Sequence, residues 1–210
     1  MGTNMASLPA RPTLAFLASH NGSSMRAIVA ACRDGRLRAS PVVLISNNGD
    51  SAAVAWAKQN RIPAVHISAK TAGSDAGADA AIAATLAQYG ADLVILAGYM
   101  RKLGPETLGA FEKRILNVHP ALLPKFGGQG MYGRHVHDAV LTSGDKETGV
   151  TIHLVDGDYD QGPVVAQARV AVEAGDTHET LAARVQAKEQ ELYPETLKRI
   201  IAREIDLDRL

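Results

Sequence analysis

A doubly wound α/β sheet, mostly parallel, with helices on both faces and an antiparallel C-terminal strand pair, is the fold this sequence predicts. Three observations predict it. Five short apolar runs recur between Thr13 and Val118. Helical segments of roughly ten to fifteen residues separate most of them, the spacing of parallel crossovers. Two further runs follow across a turn too short for a crossover helix, so they pair antiparallel.

Thr13 to Ser19 is a nearly continuous apolar run of the kind that fills a strand buried on both faces. It ends in Ser19-His20-Asn21-Gly22-Ser23-Ser24, after which Met25, Ile28, Val29 and Cys32 repeat at helical spacing. Ser23 or Ser24 can cap that helix and Gly35 closes it. Pro41 to Ser46 reads as the second strand, with an Ala-rich helix running through Trp56. Ala64 to Ile67 is a shorter strand, Asp75 to Tyr89 a helix, and Asp92 to Ala97 the fourth strand. Gly98 opens a turn, Pro105 starts a helix, and Ile115 to Val118 is the fifth strand. After Pro120 the pattern changes to a glycine-rich loop from Leu123 to Arg134, with no periodicity of its own; such loops usually serve function. A short helix over His137 to Thr142 leads into the strand Gly149 to Val155, the turn Asp156 to Pro163 and the strand Val164 to Val172. Thr177 to Glu204 reads as a helical tail that breaks before Pro194.

At 210 residues the chain can bury a full core without disulfides or metal. We expect one domain over 13–210, preceded by a flexible tail over 1–12. With 22 basic and 22 acidic residues, the charge balance argues against a nucleic-acid surface or a basic membrane patch. No apolar run approaches the roughly 18 residues that span a bilayer. The tail lacks the charged start and apolar core of a signal peptide. The single Cys32 suits a reducing compartment, hence a cytoplasmic protein.

Asn117 and His119 stand two residues apart at the end of the fifth run, so both project to one side of an extended strand. An amide there can hold a carbonyl oxygen, and an imidazole can shuttle a proton near neutral pH. A lone histidine more often serves structure, but here a strand end, Pro120, Pro124 and a glycine loop surround it. The turn Asn21 to Ser24 joins a strand to a helix N-terminus, where free N–H groups favour an anion such as phosphate. It matches neither the Walker loop nor GxGxxG, and the alternative is a plain connecting turn. Asp156, Asp158 and Asp160 first suggest a calcium loop, which Gln161 and Gln167 contradict by standing at the required Gly and Glu positions. Spacing does not place Asp160 beside His119. If it lies there, it raises the imidazole pKa and supplies a base. His119, His135 and His137 have no diagnostic zinc spacing, so no metal is expected. His66, His153 and His178 read as ordinary hydrogen-bonded residues, and Cys32 and Trp56 as core. Gln186 and Glu189 share a helix face that is otherwise a solvated one.

Four stretches together resemble the phosphoribosylglycinamide formyltransferase family, a branch of the folate-dependent formyltransferases. They are Ser19 to Ser24, Leu96 to Arg101, Asn117 to Pro124 and Asp160 to Val164, and the likeness extends from about Thr13 to Leu197. Gln186 to Pro194, ending Glu191-Leu192-Tyr193-Pro194, resembles the glycinamide ribonucleotide branch in particular. The resemblance implies transfer of the formyl group of 10-formyltetrahydrofolate to the amine of glycinamide ribonucleotide in purine biosynthesis. It implies direct attack through a tetrahedral intermediate, without a metal, by a monomer or homodimer. Carried over by position, Asn117, His119 and Asp160 become the catalytic trio. Asn21, Gly22, Ser23, Ser24, Pro120, Gln186 and Glu189 become the nucleotide site, with Gln186 and Glu189 on the ribose. Met100, Arg101, Leu103, Val155, Asp156 and Asp160 become the folate site. The sequence departs from the family pattern at His20, at Ser24 and in the loop Phe126 to Gly133, which is differently built from the usual Pro-Gly connection. Three alternatives stand beside this reading. A formyltetrahydrofolate hydrolase resembles the fold preceded by a regulatory domain. A methionyl-tRNA formyltransferase carries a further domain and a basic surface. A non-catalytic nucleotide-binding module leaves Asn117, His119 and Asp160 unexplained.

Overall fold

The structure, a computed structural model, describes residues 8–210, so most of the tail expected over 1–12 lies outside the described residues. Seven strands form one sheet: β1 (Thr13–Leu17), β2 (Ser40–Ser46), β3 (Ala64–His66), β4 (Leu93–Leu96), β5 (Ile115–His119), β6 (Glu147–Leu154) and β7 (Val164–Ala171). Their spatial order is β3-β2-β1-β4-β5-β6-β7. The first five are parallel to their neighbours, whereas β5–β6 and β6–β7 pair antiparallel. The antiparallel part therefore begins one strand earlier than the C-terminal pair expected from sequence.

Seven helices connect or cover the strands: α1 (Ser23–Arg33), α2 (Ala52–Gln59), α3 (Ala69–Ala72), α4 (Asp75–Gln88), α5 (Pro105–Ala110), α6 (Arg134–Ser143) and α7 (His178–Ile201). The unbroken apolar character of β1 follows from its position in the middle of the sheet. Leu14 and Phe16 point to a core shared with Met25 and Ile28 of α1 and Tyr193 and Leu197 of α7. Ala15 and Leu17, on the opposite face, join Ile82 and Leu86 of α4 and Phe111. Each such buried Leu or Phe contributes about 1.5–3 kcal/mol. A third cluster, Val140, Val150, Val170, Leu181 and Val185, fastens α6 and α7 to the antiparallel strands. Cys32 and Trp56 are only partly buried and pack at the edge of the first core.

Three local expectations are corrected. α7 does not break before Pro194 but runs through it. The carbonyl that loses its donor belongs to exposed Gln190, and buried Tyr193 and Leu197 hold both sides of the proline in the core. The Tyr193 hydroxyl also donates to the Leu116 carbonyl at 2.9 Å. Neither Ser23 nor Ser24 caps α1. Gly22, at φ 63°, occupies the cap position without a side-chain bond. The helix before β6 starts at Arg134, three residues earlier than the periodicity suggested.

Connections leave β1 and β4 toward opposite edges of the sheet, so a crevice opens between the carboxyl ends of those strands. The Ser19 N–H donates to the Gly98 carbonyl across it at 3.0 Å. The turns after β1, β4 and β5 all open on this side.

Candidate active site

Strand β5 carries Asn117 and His119 to the crevice. His119 is 3% exposed, and its Nε2 donates to the Phe126 carbonyl at 2.7 Å. Its other nitrogen, Nδ1, lies 3.4 Å from Asp160 Oδ2. The structure thus brings together the pair that spacing left apart. Asp160 sits at φ 57° in the turn between β6 and β7. Two residues on, Gly162 permits the close return of that turn, since a Cβ there would fall 1.9 Å from the Leu154 carbonyl oxygen. Asp160 Oδ2 also accepts the Gly128 N–H at 3.0 Å, so one loop touches both partners of the pair.

His153 is the residue that sequence reasoning missed. It was read as an ordinary strand histidine, yet register places it directly opposite Asn117. Asn117 Nδ2 donates to His153 Nε2 at 3.1 Å, and His153 Nδ1 donates to the Leu154 carbonyl at 2.8 Å. The same Nε2 lies 3.4 Å from Asp160 Oδ1. Asn117, His119, His153 and Asp160 therefore form one connected group. The signal that finds His153 is the β5–β6 pairing, which is a long-range fact.

Burial dominates the electrostatics of His119 and holds its pKa below the ordinary 6.5. Asp160 and the Phe126 carbonyl pull it upward, and His153 adds to the lowering. Asp160 thus pulls in the expected direction, and desolvation exceeds that pull. Burial pushes the Asp160 carboxyl up. The nearness of the His153 ring, the field of His119 and the Gly128 N–H outweigh that and leave it below the ordinary 3.8.

Across the crevice, the turn Asn21 to Ser24 meets α7. Gln186 Nε2 donates to Ser23 Oγ at 3.2 Å, and the Ser24 hydroxyl donates to Glu189 Oε2 at 3.5 Å. Because Gly22 caps α1 without a side chain, the first N–H groups of that helix keep no capping partner. Arg26 Nε donates to the Asn21 carbonyl at 3.1 Å. Burial raises the Glu189 carboxyl to about 7, against the pull of the Ser24 hydroxyl. Pro120 follows His119 directly and is half-buried.

Two neighbouring cavities flank the group on its other side. A small one, of about 70 Å³, is lined by Leu96, Arg101, Leu103, Val155, Asn117, His153 and Asp160. A cleft of about 1490 Å³ shares Tyr99, Arg101 and Leu103 with it and adds Met100. Of the residues expected at a folate, Asp156 alone lines neither, its carboxyl lying near Gly162. The turn presents Gly157, Asp158, Tyr159 and Asp160 to the small cavity. Among the described residues no group of three or more His, Cys, Asp or Glu is placed to hold a metal ion. His135 is exposed and meets the Tyr132 ring edge-on at 5.4 Å between centroids, while His137 is buried.

A buried imidazole–carboxylate pair and an amide stand at the switch point of a doubly wound α/β sheet, opposite the turn that opens α1, the place where enzymes of this fold class bind ligands. The chain belongs to the formyl transferase family, whose model matches residues 13–197. It is 45% identical over 190 residues to the phosphoribosylglycinamide formyltransferase, chloroplastic, of Arabidopsis thaliana, covering 90% of this chain and 65% of that protein. To the phosphoribosylglycinamide formyltransferase of Escherichia coli it is 36% identical over 181 residues, covering 86% of this chain and 83% of the relative. The glycinamide ribonucleotide transformylase 1 structure from Symbiobacterium toebii superposes with a TM-score of 0.87 at 36% identity, covering 95% of this chain and 93% of that one. This chain thus spans just under two thirds of the Arabidopsis protein.

Proposed function

We propose that this chain transfers the formyl group of 10-formyltetrahydrofolate to the amine of glycinamide ribonucleotide, a step of purine biosynthesis. The observation that carries the reading is the connected group Asn117, His119, His153 and Asp160, set between the turn Asn21–Ser24 and the cavity beside Arg101 and Leu103. The named activity of the Arabidopsis and Escherichia coli relatives supports it.

In this reading the nucleotide phosphate lies on the N–H groups at the start of α1, and Gln186 and Glu189 take the ribose hydroxyls. The pterin enters beside Leu103 and Val155. The amine attacks the formyl carbon, and the oxygen that becomes anionic is met by the Asn117 amide and by His119 Nε2–H. The Phe126 carbonyl must first give up that N–H. Protonated His119 pairs with Asp160 as charge develops, and Asp160 receives the amine proton through water; collapse of the tetrahedral adduct then breaks the bond from the formyl carbon to the folate nitrogen, which takes up that proton and leaves as tetrahydrofolate. His153 holds the Asn117 amide. Residues 13–210 act as one domain, in agreement with the 13–197 family match. Among the described residues no helix is long and apolar enough to cross a membrane. The single cysteine supports a reducing compartment such as the cytoplasm, while one relative is named as chloroplastic.

The deciding experiment follows tetrahydrofolate release with and without glycinamide ribonucleotide. Release only in its presence is expected. Equal release in its absence would identify a hydrolase and remove the transferase reading.

A further inference from the structure

The segment that carries Met100, Arg101 and Leu103 belongs to no strand or helix, yet it forms the wall shared by both cavities. It is pinned at each end by a buried side chain from elsewhere in the fold. At its start the Met100 N–H donates to Ser19 Oγ at 2.7 Å, and that hydroxyl donates in turn to Asn47 Oδ1 at 2.6 Å. Ser19 is 2% exposed. At its end the carboxylate of Asp79, reaching from α4, accepts three backbone N–H groups: Gly104 at 3.1 Å, Glu106 at 2.8 Å and Thr107 at 3.2 Å. The Thr107 hydroxyl donates to the Asp79 carbonyl as well, at 3.2 Å. Gly104, at the cap position of α5, has no side chain to do this itself. An irregular segment without such anchors samples many conformations, and fixing each residue on binding costs entropy. With them, the wall is set before a ligand arrives.

We infer that Ser19 and Asp79 are positioning residues for the co-substrate: they touch neither reacting atom but hold the wall 100–103 in the shape that the pterin meets. The inference rests on the proposed reading of that wall as the folate side of the site. Ser19 also stands one residue before the turn 20–24, so its hydroxyl ties the folate wall to the strand that presents the nucleotide turn.

The test measures kcat, both KM values and melting temperature for Ser19→Ala, Asp79→Asn and Asp79→Ala, with Leu103→Ala as the probe of the wall itself. Loss of the Ser19 acceptor should raise the folate KM about fivefold, and Asp79→Asn about tenfold. Asp79→Ala should exceed Asp79→Asn, because an amide oxygen at the Oδ1 position still accepts the Gly104 and Thr107 N–H groups and only the Glu106 bond is lost. The nucleotide KM, and kcat at saturating folate, should stay within about twofold, a split that a general loss of stability does not produce. Amide hydrogen exchange at Met100 should quicken in Ser19→Ala while exchange in β5 does not. If Asp79 variants do not fold, Ser19→Ala decides alone. An unchanged folate KM in Ser19→Ala and Asp79→Asn, with a raised one in Leu103→Ala, overturns the positioning role. An unchanged folate KM in Leu103→Ala removes the folate reading of the wall and the inference with it.

Discussion

Replacement of Asp160 by Asn isolates the charge on which the proposed chemistry depends. The carboxyl is held below the ordinary 3.8, so it is ionised at every practical assay pH and the substitution removes a full unit of charge. The amide oxygen can still accept the Gly128 N–H, so the loop keeps its tether. What disappears is the field on His119 Nδ1 at 3.4 Å and on His153 Nε2 at 3.4 Å. A unit charge pair at such a separation is worth about 4 kcal/mol at an effective dielectric of about 20. That energy stabilises His119 only when it is cationic, as in the developing transition state, and 4 kcal/mol is about a thousandfold in rate. The value falls inside the range of about 100- to 10,000-fold for a lost acid–base partner. None of the Asp160 contacts reaches Asn21 to Ser24, Gln186 or Glu189, so the nucleotide KM should stay within about threefold. The assay is the initial rate of tetrahydrofolate formation at saturating substrates between pH 5.5 and 9, with thermal melting as the fold control. A kcat within about threefold of the parent, with an unaltered pH profile, would refute the role assigned to the pair.

The remaining predictions concern neighbours of this pair. His153→Gln should lower kcat by about tenfold to a hundredfold through loss of the Asn117 tether, read in the same rate assay. Gly162→Ala should reduce both activity and melting temperature, because the new Cβ would meet the Leu154 carbonyl and displace the turn that carries Asp160; an active, equally stable variant would contradict this. The Glu189 carboxyl rises in the fold from 4.5 to about 7, so the folded state retains a proton that the unfolded state loses and stability declines as pH climbs through that window. Urea titrations at pH 5 and pH 8 should show Glu189→Gln gaining about 2 kcal/mol relative to the parent at the higher pH, a figure reduced for solvent screening. His137 has the opposite sign. Burial, reinforced by His178 and His119, holds its folded pKa below the ordinary 6.5, so its contribution is present above 6.5 and lost as pH falls through the folded value. His137→Gln should therefore flatten the acid side of the urea midpoint profile.

Most of the sheet was legible because its signals are local. Buried strands announce themselves as apolar runs, Pro105 marks the first turn of α5, and the short connection between β6 and β7 permits only a hairpin. The polar ends of β1, β4 and β5 likewise point to the crevice, since a doubly wound sheet puts its ligands there. What sequence could not supply depends on residues far apart in the chain. His153 looks like any strand histidine until β5 and β6 are paired, when it faces Asn117 across 36 positions. The pull of Asp160 on His119 was foreseeable in sign, but the depth of burial that outweighs it was not. Pro194 misled for the same reason: its local cost was visible, and the packing of Tyr193 and Leu197 that offsets it was not.

The contacts of Phe126 and Gly128 give the site a resident competitor. The carbonyl of one residue occupies His119 Nε2 and the N–H of the other occupies Asp160, so the hydrogen-bonding positions that chemistry needs are filled before any substrate arrives. A tethered competitor acts at an effective concentration on the order of millimolar, and the ligand must exchange bonds with it rather than gain new ones. The apparent affinity for substrate is then the intrinsic affinity scaled by the fraction of time the loop is away. Composition of the stretch Phe126 to Gly133, remote from either substrate in sequence, thereby becomes a dial for KM. A loop made slightly less comfortable in its resting place would yield a tighter-binding protein without altering a single residue that touches ligand.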